Sequence, residues 1–189
     1  MELVYGLIAL AALVVVVGVV IFNQLVSRRQ MVSNGWSDID VQLKRRSDLI
    51  PRMVDAVKGY AAHELNLFKE VTEKRTLAAA AGDDPEARGV AESELSAPVG
   101  RLVALAEDYP DLKANENFLE LQRELSDTED KIESARRFYN GATRELNTAI
   151  ESFPSSIVAG AFRFEKANYF EIETADRALP EVKFTDGSA

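Results

Sequence analysis

The 189-residue chain has no cysteine, one histidine and one tryptophan. Without cysteine there is no disulfide, iron–sulfur cluster or thiolate zinc site, and the chain suits a reducing compartment. The single histidine, His63, is followed by Glu64, Leu65, Asn66 and Leu67, whereas a helical zinc-protease motif needs a second histidine at position 67. The same lone histidine would have to serve any serine triad, and no glycine-flanked serine elbow accompanies it. Glycines are scattered too: Gly82, Gly89 and Gly100 stand singly and build no phosphate-cradling loop. With the usual constellations missing, the chain is expected to be no enzyme and to need no cofactor or metal, with His63 a solvated or packed helix residue.

What is present is one concentrated apolar run. Mean hydropathy over the chain is only -0.13, yet Leu3 to Phe22 carries no charge over 20 residues. At about 1.5 Å per residue a helix of that length reaches roughly 30 Å, the thickness of a bilayer's hydrocarbon core. A single spanning helix is expected, with Leu3, Leu7, Leu10, Leu13, Val17, Ile21 and Phe22 in the membrane and an anchor domain over residues 1–26. A cleaved signal peptide would want a basic start, a shorter run and small residues beyond it, whereas this chain has Glu2 before the run and Phe22-Asn23-Gln24 at its end. Only Met1 and Glu2 precede the run, while Arg28 and Arg29 follow it, so the positive-inside rule puts the N-terminus outside and the remainder in the cytoplasm. Arg28 and Arg29 then stand at the level of lipid headgroups.

Charge is uneven beyond the anchor. Acidic residues outnumber basic ones 31 to 22 overall, yet Ser27 to Arg52 holds Arg28, Arg29, Lys44, Arg45, Arg46 and Arg52 against Asp38, Asp40 and Asp48. The basic part is membrane-proximal, where each cation near an anionic leaflet contributes on the order of 1 kcal/mol. The acidic body argues against a nucleic-acid partner.

The remainder reads as mainly α: an elongated antiparallel bundle of three to four long helices over residues 27–184, with an aromatic tail packed on it and residues 185–189 frayed. One helical stretch runs from about Asn23 to Ala81, with a kink or restart expected at Ser47 to Pro51 because a proline removes a backbone hydrogen bond. Beyond it, Ile50, Met53, Val54, Val57, Tyr60, Ala61, Phe68 and Val71 recur at helical spacing. Gly82-Asp83-Asp84-Pro85 is a turn in which Asp84 caps the next helix and Pro85 opens it. That helix reaches about Tyr109, carries Val90, Leu95, Val99, Leu102, Val103 and Ala106 inward, and is expected to bend or break at Pro98. The last long helix, about Ala114 to Phe153, has Asn115 or Asn117 near its start. It shows a seam of Phe118, Leu121, Leu125, Thr128, Ile132, Ala135, Tyr139, Ala142, Leu146, Ala149 and Phe153 in steps of three and four, as in a coiled coil. Arg136, Arg137, Tyr139 and Asn140 suggest a buried polar network. The tail holds Phe162, Phe164, Tyr169, Phe170 and Phe184.

The segment WSDIDVQLKRRSDLIP, Trp36 to Pro51, stands out. On a helix Asp40 and Lys44 lie one turn apart, as do Gln42 and Arg46, and Arg45 and Asp48 are three apart, so charges can pair along one side. Such pairs are common on solvated faces; the alternative is a docking face made of Trp36, Asp38, Asp40, Gln42, Lys44, Arg45, Arg46 and Asp48, meeting a second copy or lipid headgroups.

Those motifs together resemble the LemA family over nearly the whole chain. The resemblance is carried by NQLVSRR after the anchor, by WSDIDVQLKRRSDLIP with VKGYAAHE following it, by EDYPDLKANENFLELQRELSDTEDKIESARRFYN, and by SFPSSIVA with the later PEVKF. It implies a bacterial source, an N-terminal anchor with its N-terminus outside, a cytoplasmic helical bundle at the inner membrane, and no catalytic activity. A magnetosome-associated branch of the family is linked to membrane biogenesis. The expected role is a non-catalytic, self-associating scaffold that organises or remodels the membrane, with membrane lipids and further copies of itself as partners. The alternative is a monomeric adaptor that recruits a membrane protein partner such as a protease or signalling complex.

Overall fold

The apolar run and the basic stretch beyond it belong to one helix, α1, Glu2–Lys58, which at about 1.5 Å per residue is about 85 Å long. The computed structural model describes residues 1–172, and the expected Phe184 contact and frayed end at 185–189 lie outside them. The interruption expected at Ser47 to Pro51 does not occur. The helix runs through Pro51, and the break falls instead between Gly59 and the start of α2, Leu65–Ala80. Hydrogen bonding explains why. Pro51 has no amide to offer the Ser47 carbonyl one turn earlier, and Arg75 of α2 donates its Nε to that carbonyl at 2.6 Å. A guanidinium from another helix takes the place of the missing N–H.

This substitution of donors is testable. Arg75→Ala should cost about 1.5–3 kcal/mol, the range for a hydrogen bond to a charged group. In a Pro51→Ala background, where residue 51 regains its amide, the same change should cost much less. Urea unfolding of the four variants measures the coupling; equal costs in the two backgrounds would show that Arg75 serves some other purpose.

Gly82 adopts φ +74, a left-handed conformation that glycine accommodates without strain, and so turns the chain after α2. Asp84 then accepts a hydrogen bond from the Ala87 amide at 3.2 Å and caps α3, Pro85–Glu107. α3 continues through Pro98, where a bend or break was expected; the proline is buried in the core and the helix passes it. The ion pairs Lys74–Glu94 at 2.8 Å and Arg101–Glu70 at 2.5 Å mark the antiparallel α2/α3 hairpin. A single turn, α4, Pro110–Lys113, leads to α5, Glu116–Glu151, whose N-cap Asn115 accepts from the amides of Asn117 and Phe118. α6, Ser155–Ala161, follows, and the chain then runs without helix to Ile172.

Among the described residues there are six helices and no strand. α1 and α5 lie antiparallel. Arg46 meets Glu129, the Trp36 and Tyr139 rings are 5.6 Å apart, and Arg28 donates to the Glu145 carbonyl. Far from the apolar run, α1, α2, α3 and α5, with Leu112 of the α4 turn, share a core that includes Ile50, Met53, Val57, Phe68, Val71, Leu95, Leu102 and Phe118. Nearer the run, α1 and α5 continue side by side, burying Val32, Ile39, Leu43, Ile132, Tyr139 and Leu146 with Phe170 and Ile172 of the non-helical segment. Three residues expected inside are outside: Phe153 because α5 has ended, Tyr60 because α1 has, and Val90 because Arg88, Gly89 and Glu92 face inward at that level. His63 is exposed in the turn between α1 and α2 rather than on a helix.

Candidate functional site

The Trp36–Asp48 segment is a straight stretch of α1, so its side chains distribute around the helix instead of forming one face. Asp38, Asp40, Lys44, Arg45 and Asp48 are exposed, and Trp36 and Gln42 are half-buried. Arg46 is interior, only 2% exposed, and so is no part of a docking surface. Its position explains this: Ile39, Leu43, Arg46, Ile50, Met53 and Val57 follow one another in steps of four and three along the buried stripe. Arg46 takes a core position where the two apolar clusters meet.

A buried cation there needs counter-charges, and they come from other helices. Arg46 pairs with Glu92 of α3, itself buried, and with both carboxylate oxygens of Glu129 of α5 at 2.9 and 3.2 Å. Glu92 also accepts from Arg88 Nε at 3.0 Å, and Arg88 faces Asp40 of α1 at 3.8 Å. The signs alternate along Asp40–Arg88–Glu92–Arg46–Glu129, which ties α1, α3 and α5 together. Burial alone would lower the Arg46 pKa, but the charges and hydrogen bonds of Glu129 and Glu92 outweigh it and hold the guanidinium above its ordinary value. Asp40 makes its ion pair with Arg88, where sequence spacing pointed to Lys44.

A second constellation fixes the non-helical segment. Asn147 exchanges two hydrogen bonds with the backbone of Ala167, both at 2.9 Å. Asn140 does the same with Phe170, at 2.9 and 3.0 Å. Between them the Tyr139 hydroxyl donates to the Asn168 carbonyl at 2.7 Å, and Arg136 donates to the Ile172 carbonyl at 3.3 Å. Five residues of this segment match eleven of α5, about 16 Å by either path, so the backbone is extended and antiparallel to the helix. Phe170 is fully buried and meets Trp36 edge-on at 5.6 Å. Burial pushes the Tyr139 pKa up. On the other side the strap lies against Gly89 of α3: a Cβ there would collide with the Glu171 carbonyl oxygen and come within 3.1 Å of its carbon.

Of the four residues expected in a polar network, Arg136, Tyr139 and Asn140 serve the strap, while Arg137 is exposed and pairs with Glu133. Sequence reasoning missed Asn147, Gly89, Arg88, Glu92 and Glu129. The signal available for one of them was spacing, since Asn140 and Asn147 lie seven residues apart and therefore on one side of α5. The carboxylates of the network are engaged with arginines. Among the described residues no group of three or more His, Asp or Glu side chains is placed to hold a metal ion. Arg28 is half-buried, and Arg29 is exposed with its guanidinium 5.2 Å from the Phe164 ring centre.

The apolar run of α1 stands clear of the bundle. An 18-residue window within the helix has a mean hydropathy of 3.0 and no burial against the protein, which makes it long and apolar enough to cross a membrane. Leu3, Leu7, Leu10, Leu13 and Val17 are exposed, while Ile21 and Phe22 are half-buried.

The LemA family model matches residues 35–184. The chain is 28% identical over 164 residues to the protein LemA of Metamycoplasma hominis, a match covering 85% of this chain and 75% of that protein. It is 24% identical over 179 residues to magnetosome protein MamQ 2 of Paramagnetospirillum magneticum and to magnetosome protein MamQ of Magnetospirillum gryphiswaldense. Those matches cover 82% of this chain and 66% of each relative, so the chain spans just under two thirds of their length.

Proposed function

The chain belongs to the LemA family, and from that premise we propose that it is a membrane-anchored, non-catalytic helical scaffold that self-associates and organises or remodels the membrane at its cytoplasmic face. The observation that carries this reading is the continuity of α1. The apolar run passes without a break into the spine of the bundle, so the domain follows the direction of the spanning helix and does not swivel on a linker. The flanking Glu2 and Arg28-Arg29 support an outside N-terminus and a cytoplasmic domain. Similarity to the magnetosome proteins MamQ supports membrane association.

The flank that would meet a neighbour lies along the proximal part of α1 and α5. Met31, Gly35, Asp38, Gln42 and Arg45 form a second stripe in steps of four and three, beside the buried one. Gly35 lets the Phe138 ring of α5 lie close over this stripe, with a Cβ there falling 3.0 Å from Phe138 Cδ1. Phe138 remains half exposed and Met31 sits at the edge of the same surface. Lys44 and Asp48 fall on the back of the helix, outside this stripe.

In liposomes treated with a copper–phenanthroline oxidant, Asp38→Cys in this cysteine-free chain should give disulfide-linked dimers. Met31→Glu with Phe138→Glu should reduce that yield about tenfold, equivalent to about 1.4 kcal/mol of association. A strictly monomeric protein would sink the proposal, and a stoichiometric partner recovered with such a monomer would favour the adaptor instead.

A further inference from the structure

We propose that α6 and the turns on either side of it form a second membrane contact, a shallow collar that inserts Phe153, Ile157 and Phe162 among interfacial lipids beside the anchor. The inference rests on the reading of α1 as a spanning helix.

These three side chains are large, apolar and strongly exposed, at 82%, 64% and 62%. Apolar residues exposed singly are ordinary on a protein surface, but a cluster at one end of a molecule marks a contact. The cluster lies at the end from which the apolar run emerges. Down the antiparallel pair, Arg28 meets the Glu145 carbonyl and Leu25 packs with Ala149, so the register brings Phe153 level with Ile21 and Phe22. The rings confirm that level independently: Phe162 lies 4.7 Å from Phe22, and Phe164 lies 5.8 Å from it. Phe22 is the last residue of the run and stands where a spanning helix leaves the hydrocarbon.

α6 is built for such a depth. Its Ala159 is buried and its Val158 half-buried against Leu25 and Ile21, which anchors the turn to α1 and leaves Ile157 facing away from the bundle. The chain reverses here. α5 arrives, α6 crosses, and the strap departs down α5 from Ala167. The collar is therefore the point of the soluble domain closest to the membrane.

Charges around the collar fit an anionic lipid surface better than a protein groove. Arg28, Arg29, Arg163 and Lys166 ring it against Glu151 and Glu165, with Lys166 paired to Glu151 and Arg29 stacked on Phe164. Basic side chains above an apolar tip are the arrangement of interfacially bound elements.

Because the chain has no native cysteine, depth can be read one site at a time. Full-length Val14→Cys, Ile157→Cys and Leu77→Cys are labelled with an environment-sensitive fluorophore and reconstituted into phosphatidylglycerol–phosphatidylethanolamine vesicles. Quenching is then compared between lipid-borne nitroxides and aqueous iodide. The Val14 label should be quenched by deep nitroxides, the Ile157 label by shallow ones with loss of iodide quenching, and the distal Leu77 label by iodide alone. A Val14 label in lipid with an Ile157 label open to iodide would overturn the collar and leave the anchor intact. Protection of the Ile157 label from both quenchers would mean that a second copy covers it, and would also overturn the proposal. A Val14 label open to iodide would remove the spanning helix itself, and the collar with it.

Discussion

Glu92→Ala is expected to lower the unfolding free energy by about 3–5 kcal/mol, the cost of leaving a buried charge without its partner. Arg46 is 2% exposed and keeps only Glu129, whose side chain is 45% exposed. Arg88 loses its interior partner in the same step and retains Asp40 at the surface. Glu129→Ala should cost much less, about 1 kcal/mol or below, because a half-exposed carboxylate contributes through solvent-screened interactions and Arg46 still has Glu92. Removing charge in pairs should reverse most of the loss. Arg46→Leu with Glu92→Leu fills the same space with apolar groups, and such replacements are often neutral or stabilising. Urea unfolding of the full-length chain in detergent, with helical signal as readout, ranks the three variants. Equal losses for Glu92→Ala and Glu129→Ala would show that the network is a surface feature and that burial does not govern it.

The same residue shows what could be read in the sequence and what could not. The α5 seam was legible because its side chains, apolar except Thr128, repeat every three or four residues from Phe118 to Ala149, and periodicity needs no knowledge of the partner. Asp84 was legible as a cap because capping is decided within a few residues, and Asn115 was one of two candidates with Asn117. Arg46 gave two conflicting signals. Its type, within a run of three basic residues, reads as surface, while its spacing from Leu43 and Ile50 reads as core. Spacing prevails only because Glu92 and Glu129 come from distant parts of the chain to compensate the charge, and nothing local announces them. Pro51 fails as a helix breaker for a similar reason: the donor that rescues the Ser47 carbonyl is Arg75, 28 residues away. The strap was least legible, since hydrogen bonds to its backbone leave almost no mark on its own side chains.

Gly89 and Gly100 offer one substitution with two opposite outcomes on a single helix. In a helix interior, glycine to alanine is ordinarily stabilising by about 0.5–1 kcal/mol, because alanine loses less backbone freedom on folding. Gly100 is exposed on α3 and a Cβ there meets nothing within 4 Å, so Gly100→Ala should show that gain. Gly89 is buried, and its Cβ would collide with backbone, the carbonyl oxygen and carbon of Glu171, with the Glu171 nitrogen at 3.3 Å. Backbone held on its far side cannot yield as a flexible side chain would. The strap is pinned to α5 through Asn140 and Asn147 and by the buried ring of Phe170, so relief requires one of these to be released. Gly89→Ala should therefore be net destabilising by about 1–3 kcal/mol, the usual range for overpacking. The loss should be local. The amides of Ala167 and Phe170, which donate to Asn147 and Asn140, should lose protection from hydrogen exchange. Amides in the middle of α5 should keep theirs. If Gly89→Ala instead stabilised the protein as Gly100→Ala does, with both strap amides still protected, the segment could not be wedged between α3 and α5. The opposite signs would test whether the strap fills the space between α3 and α5 in the proximal half of the domain.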